Sequence, residues 1–233
     1  MKNIAVIPAR SGSKGLKNKN IKKLNKKPLM AYSIEAAQKA GIFDCIHVST
    51  DSEQYAELAR QYGAEVLFLR DSANSSDAAT TWDAMRFVLR EYKNRGKDFD
   101  AITVLQPTSP LRTCKDICSA YELFLNKQAD SVIGVSEMEH SPLWSNTLPE
   151  DGCLEGFLRP ELNGPRQNLS EYYRINGAIY IIKTQFLLEC GNLYGKHGYA
   201  YIMPKERSID IDDEMDFTIA EFLIKRRDCD GGV

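Results

Sequence analysis

Ile4-Ala5-Val6-Ile7 runs without a break into Pro8-Ala9-Arg10-Ser11-Gly12-Ser13-Lys14-Gly15-Leu16-Lys17-Asn18-Lys19-Asn20. The four apolar residues read as a buried strand. A loop of glycines, serines and cations comes next. Glycine and serine let backbone N–H groups approach an anion closely, and the cations neutralise it, so the loop suits phosphate. Its order is neither G-x-x-x-x-G-K-[ST] nor G-x-G-x-x-G, so the P-loop and dinucleotide fingerprints do not apply.

Outward from this strand, strand and helix patterns alternate. Leu29–Ala40 is expected to be helical, with Pro28 at its start and Gly41 after its end. Cys45–Ser49 reads as a strand, 53–62 as a helix stopped by Gly63, and 65–69 as a third strand. Residues 81–92 carry Met85, Val88, Leu89 and Tyr92 at helical spacing. Strand 101–105, helix 117–125 and strand 131–135 continue the rhythm. This alternation predicts a three-layer α/β/α fold around a mostly parallel, Rossmann-like sheet. Ligands on such sheets bind beyond the carboxyl ends of the strands. The loops there bring Arg10, Lys14, Arg70 and Gln106 toward one crevice.

The rhythm breaks over 137–175, a stretch holding Pro142, Pro149, Pro160 and Pro165. It is too long for an ordinary connection and reads as an irregular arm on a single domain spanning 1–233. Strands at 178–182 and 199–203 and an amphipathic helix at 215–225 close the pattern.

Composition narrows the function. An apolar fraction of 43% supports a real core, and a net charge of −2 excludes a general polyanion binder. Charge is nevertheless segregated. Seven lysines fall between Lys14 and Lys27, and carboxylates gather between Asp210 and Asp216. The lysine run also reads as a solvated basic loop or a nucleic-acid patch. The start lacks the longer apolar region of a signal peptide, and no segment approaches a membrane span. The six cysteines are scattered singly, and Cys114 and Cys118 have no Cys/His pair to complete a metal site. They are expected to be reduced, in a cytoplasmic protein.

In Ser208-Ile209-Asp210-Ile211-Asp212, an extended backbone would bury the isoleucines and place Asp210 and Asp212 together on the other face. Paired carboxylates suit magnesium, which takes oxygen ligands and keeps phosphate and water in its shell. Acids before the last helix also suit its positive end. We assign Asp213, Glu214 and Asp216 to the helix, and Asp210 and Asp212 to the metal. His47, His140 and His197 lie outside these segments. His47 reads as a core or edge residue of its strand, and no general base is evident.

Four segments occur in a telling order. They are the Pro8–Asn20 loop (8–20), then Leu105-Gln106-Pro107-Thr108-Ser109-Pro110-Leu111-Arg112, then Pro165-Arg166-Gln167 with Asn176-Gly177-Ala178-Ile179-Tyr180, then Ser208 to Asp212. In that order the chain resembles the acylneuraminate cytidylyltransferases over nearly its whole length. The resemblance implies the nucleotide-diphospho-sugar transferase type of fold and a homodimer whose arm packs on the second subunit. It also implies transfer of CMP from CTP to an acidic nine-carbon sugar. It puts Arg10, Ser13, Lys14, Lys19, Asn20, Arg70 and Thr81 on the nucleotide. Gln106, Arg166, Gln167, Asn176 and Tyr180 fall on the sugar, and Asp210 and Asp212 on Mg²⁺ or Mn²⁺. Arg10, Lys14, Lys19 and Gln106 form the implied catalytic set. Selection of CTP over other nucleotides rests on the resemblance alone.

The reaction explains the density of cations. An acidic sugar must approach a triphosphate, and two like charges about 4 Å apart repel by roughly 4 kcal/mol at an effective dielectric near 20. Two departures bear on the sugar. Trp144 stands where some sialic-acid enzymes carry lysine, and Leu193-Tyr194 has one aromatic where they have two. The ketodeoxyoctonate enzymes have a different first loop and lack the Leu105 to Arg112 pattern. N-acetylneuraminate, legionaminic acid and other nonulosonates all remain open, as does a non-catalytic nucleotide-binding regulator on the same scaffold.

Overall fold

The structure, a computed structural model, describes residues 1–12, 15–75, 80–158, 170–189 and 193–229. The opening strand β1 (Asn3–Pro8) is apolar on both faces because both are covered. Ile4 and Val6 join one core cluster, and Ala5 and Ile7 the other. A tight hairpin follows, β2 (Lys23–Leu24) with β3 (Lys27–Pro28), turned by Asn25 and Lys26 at positive φ. Helix α1 (Leu29–Ala40) has the expected bounds, with Gly41 left-handed at φ 65°.

Then come β4 (Cys45–Ser49), α2 (Glu53–Gln61), the short α3 (Ser72–Ser75), α4 (Thr81–Asn94), β5 (Ala101–Val104), α5 (Cys114–Asn126) and β6 (Ser131–Glu137). The chain ends with β7 (Tyr173–Lys183), α6 (Thr184–Glu189), β8 (Gly198–Ile202) and α7 (Glu214–Cys229). The six-stranded sheet has the order β4-β1-β5-β7-β6-β8. It is parallel except for β7, which runs against both neighbours. The reason is geometric. The chain leaves β6 at its carboxyl end and returns without a crossover to the other end, so its next strand must be antiparallel.

Residues 65–69 form no strand. Glu65 makes a single bridge to His47, and the segment then only skirts β4, with Arg70 N–H donating to the Thr50 carbonyl. Strand β7 begins inside the stretch expected to be irregular. The rest of that stretch, among the described residues, holds a short helical turn at Pro142–Trp144 and tight turns closed by Gly152 N–H on the Pro149 carbonyl and Phe157 N–H on the Leu154 carbonyl.

Two clusters fill the sheet faces. A third joins Leu16, Leu24, Leu29, Tyr32, Leu111, Ile211, Phe217, Ala220 and Ile224. It ties the first loop, the hairpin, the turn after β5 and α7 into one apolar floor. Among the described residues no cysteine is disulfide-bonded and no helix is long and apolar enough to cross a membrane.

Candidate functional site

The cationic loop and the carboxylate segment meet, although almost the whole chain separates them. Lys19 Nζ donates to the Ile211 carbonyl and pairs with Asp212 Oδ1 at 3.1 Å. A Cβ on Gly15 would lie 2.7 Å from the Asp212 carbonyl oxygen, so the backbones touch where only glycine fits. Lys22 pairs with Glu214, which therefore serves the loop as well as the start of α7.

The Ser208 to Asp212 segment lies outside the sheet but keeps the expected alternation. Ile211 is fully buried and Ile209 packs against the same cluster. The Ile211 N–H donates to the Thr108 carbonyl at 2.9 Å. Asp210 and Asp212 take the other side. Asp213 Oδ1 accepts from Met215 and Asp216 N–H, and Asp216 Oδ2 accepts from Asp212 and Asp213 N–H, so those two acids cap α7.

Asp210 is the unusual carboxylate. Burial raises its pKa above the ordinary range and neighbouring Asp212 adds to the effect, against Thr108, Lys19 and Arg174. Its Oδ1 is buried without a protein hydrogen-bond partner. Such an oxygen is costly unless a cation or water satisfies it. Asp212 is largely exposed, so this pair can present oxygens to a divalent ion on one side of the loop. Among the described residues no group of three His, Cys, Asp or Glu side chains surrounds a metal position. Two carboxylates, one with a buried oxygen lacking a partner, fit magnesium, which would complete its shell with phosphate and water.

Gln106 follows β5. Its carbonyl accepts from Ser33 Oγ at 3.2 Å and Arg112 Nη1 at 3.3 Å. Its side chain lies over Gly177, where a Cβ would be 2.5 Å from Gln106 Oε1 and 3.6 Å from Asp210 Oδ2. The amide and the carboxylate thus share one glycine floor. Tyr180 stands edge-on to Trp82 at 5.3 Å. Burial, then Tyr194 and Asp210, push its phenol up to about 12. Asn176 is buried and bonded within the protein.

A second cationic group lies at the ends of β1 and β4. Arg70 Nε donates to Ser49 Oγ at 2.7 Å and Nη2 to the Ser49 carbonyl at 2.8 Å. Burial pulls its pKa down to about 10; Asp51 opposes this, and the charge of Arg10 adds to it. Asp51 also accepts from Ser11 N and Oγ, and Asn20 Nδ2 donates to the Arg10 carbonyl. An anion placed here would relieve the repulsion between the arginines. Thr80 caps α4, its Oγ1 accepting from Asp83 N–H, and Thr81 opens the helix.

Arg10, Lys19, Asn20, Arg70, Gln106, Tyr180, Asp210 and Asp212 therefore belong to the carboxyl-end side of the sheet or to the segments that close it. Ser13, Lys14, Arg166 and Gln167 lie outside the described residues. Sequence reasoning missed Asp51, Thr108 and Arg174. Of these, Asp51, at the carboxyl end of a predicted strand, and Thr108, inside the Leu105 to Arg112 segment, gave a positional signal, and Arg174 gave none.

A model of the cytidylyltransferase family matches residues 4–150. Post-translational flagellin modification protein B of Campylobacter coli is 37% identical, over 96% of this chain and 95% of its own. The CMP-N,N'-diacetyllegionaminic acid synthase of Legionella pneumophila is 34% identical, with 97% of each chain covered. The N-acylneuraminate cytidylyltransferase of Escherichia coli is 40% identical over 93% of this chain, which spans about half (51%) of that relative's length. A solved CMP:2-keto-3-deoxy-manno-octonic acid synthetase complexed with CTP shares the fold, with a TM-score of 0.74 at 15% identity, covering 97% of this chain and 100% of that one.

Proposed function

The chain belongs to the cytidylyltransferase family, and from that premise we propose that it transfers CMP from CTP to the anomeric hydroxyl of an acidic nine-carbon sugar. The observation that carries this reading is the junction of Lys19 with Asp212, beside the buried, unpartnered oxygen of Asp210. It supports a polyanion held between cations and a metal-ready carboxylate pair.

The sugar hydroxyl gives its proton to solvent as its oxygen forms a bond to the α-phosphorus, the α–β bridging P–O bond breaks, and pyrophosphate leaves with the electron pair. Such transfers depend on positioning and on neutralising charge. Arg10, Lys14 and Lys19 hold the triphosphate, with Ser13, Asn20, Arg70 and Thr81 along the nucleotide. Gln106 orients the sugar hydroxyl toward the α-phosphate, and Arg166 and Gln167 take the sugar carboxylate. Asp210 and Asp212 would hold Mg²⁺, or Mn²⁺ in its place, which would supply charge neutralisation and acidify the hydroxyl. Tyr180 walls the site.

The relatives named for N-acylneuraminate and legionaminic acid support a nonulosonate as the substrate. A cavity of about 210 Å³ bounded by Ile133, Val135, Leu193, Tyr194 and Tyr199 suits acyl substituents, since Ile133 is the strand partner of Tyr180. We read the protein as a cytoplasmic homodimer, with the 137–175 arm reaching the second subunit.

Purified protein mixed with CTP, Mg²⁺ and a panel of nonulosonates should release pyrophosphate with at least one sugar. Asp210→Ala and Asp212→Ala should each abolish turnover while the fold stays intact. Full activity in both variants would remove the metal assignment. Absence of turnover with every sugar would favour the regulator.

A further inference from the structure

Strand β7 carries an irregularity at the site. Ile133 pairs with Tyr180 and Val135 with Ile175, so Gly134 alone stands opposite residues 176–179. The extra residues fold over Gly134, where a Cβ would lie 2.8 Å from Asn176 Oδ1. A bulge of this kind re-aims side chains next to a functional site.

Every polar group of the Asn176 amide seen in a bond is turned inward. Oδ1 accepts from Ala178 N–H at 3.1 Å, and Nδ2 donates to Ser208 Oγ at 3.0 Å. Ser208, fully buried, donates in turn to the Pro204 carbonyl at 2.8 Å, and its own carbonyl accepts from Arg174 Nη2 at 3.1 Å. Two residues beyond Ser208 is Asp210. One residue beyond Asn176 is Gly177, at φ 75°, lying under both Gln106 Oε1 and Asp210 Oδ2. One bulge therefore clasps the aspartate segment through Asn176 and leaves room for the reacting groups through Gly177.

We infer that Asn176 is a positioning residue: its clasp on Ser208 sets Asp210 against Gln106, in place of the sugar contact implied by resemblance. At 1% exposure Asn176 presents no surface to a sugar. The inference rests on the proposed role of Asp210, and its test separates the two.

Asn176→Ala and Ser208→Ala are compared with wild type in three measurements. Ser208→Ala leaves the Asn176–Ala178 bond and the bulge in place, so it remains informative if Asn176→Ala folds poorly. Hydrogen exchange over 208–212, which includes the Ile211 N–H held by Thr108, should accelerate in both variants. Mn²⁺ binding to the free protein should weaken about tenfold, as loss of a residue supporting a ligand does. KM for the sugar should stay within about twofold, because uniform substrate binding is untouched. Unchanged exchange in both variants overturns the clasp. So does a tenfold rise in sugar KM for Asn176→Ala with Ser208→Ala behaving like wild type. Asp210→Asn in the same Mn²⁺ titration reports on the metal reading alone: wild-type binding there would remove the metal from Asp210 while the exchange result still decides the clasp.

Discussion

His47 is enclosed completely, its Nδ1 within 3.1 Å of the Tyr92 hydroxyl and its ring stacked on Phe68 at 4.9 Å. Burial first, then the charge of Arg70, holds its pKa down to about 3, so the folded protein keeps the ring neutral. An unfolded histidine titrates near pH 6.5. The unfolded state therefore binds the extra proton first, and stability is greatest above about pH 6.5 and falls from there toward pH 3. The loss from this group is about 3 kcal/mol by pH 4.5. His47→Gln should flatten the change in urea midpoint between pH 7 and 4.5; an unchanged slope would assign acid lability to other groups. His47 was read as a core or edge residue because it stands in a strand, away from every motif, and it is buried on the edge strand β4. Lys19 and Asp212 were legible because their segments carry a pattern. Thr108 stood in a quoted segment, but its contact with Asp210 comes from packing, and Arg174 gave no signal at all.

Among the elements, α1 was read to the residue because proline and glycine bracket it. Helix α5 starts three residues before its expected beginning, and the cause is visible in the sequence: Thr113 and Asp116 form a capping box. Asp116 also accepts from Arg207 Nε and Nη2, which ties α5 to the turn leading to Asp210. Strand β7 was only half legible, because its bulge interrupts the period-two pattern from which strands are read. Gly177→Ala tests that bulge directly. A side chain at φ 75° costs about 1–3 kcal/mol in strain, and its Cβ would press on the Gln106 amide. We expect kcat to fall at least about tenfold, with KM for CTP little changed and the thermal midpoint lowered. Wild-type kcat in a folded variant would show that Gln106 does not need this floor.

At the scale of the molecule, the site exists because the third apolar cluster holds the two ends of the chain together. Its composition was not legible, since Leu16, Leu111 and Phe217 share no local period. Another whole-molecule feature lies beside the site. Val135 is the strand partner of both Ile175 and Ile202, and cross-strand partners share a face. Ile175 and Ile202 are 44% and 57% exposed, and Tyr173 next along the strand is 43% exposed. Ile175 of this row also lines the cavity assigned to the sugar's substituents, and the irregular arm emerges from the same end of β6. A second copy covering the row would both bury it and close the cavity. Sedimentation should give twice the 26.3 kDa chain mass at micromolar concentration. Ile202→Arg, a change at an exposed position, should shift the mass to the monomer without lowering the thermal midpoint of the chain itself. The monomer should show a raised KM for the sugar and a near-normal affinity for CTP, because Arg10, Lys19 and Arg70, the residues proposed for the nucleotide, lie away from this row. A wild-type chain that sediments as a monomer while turning over normally would make this face irrelevant to catalysis.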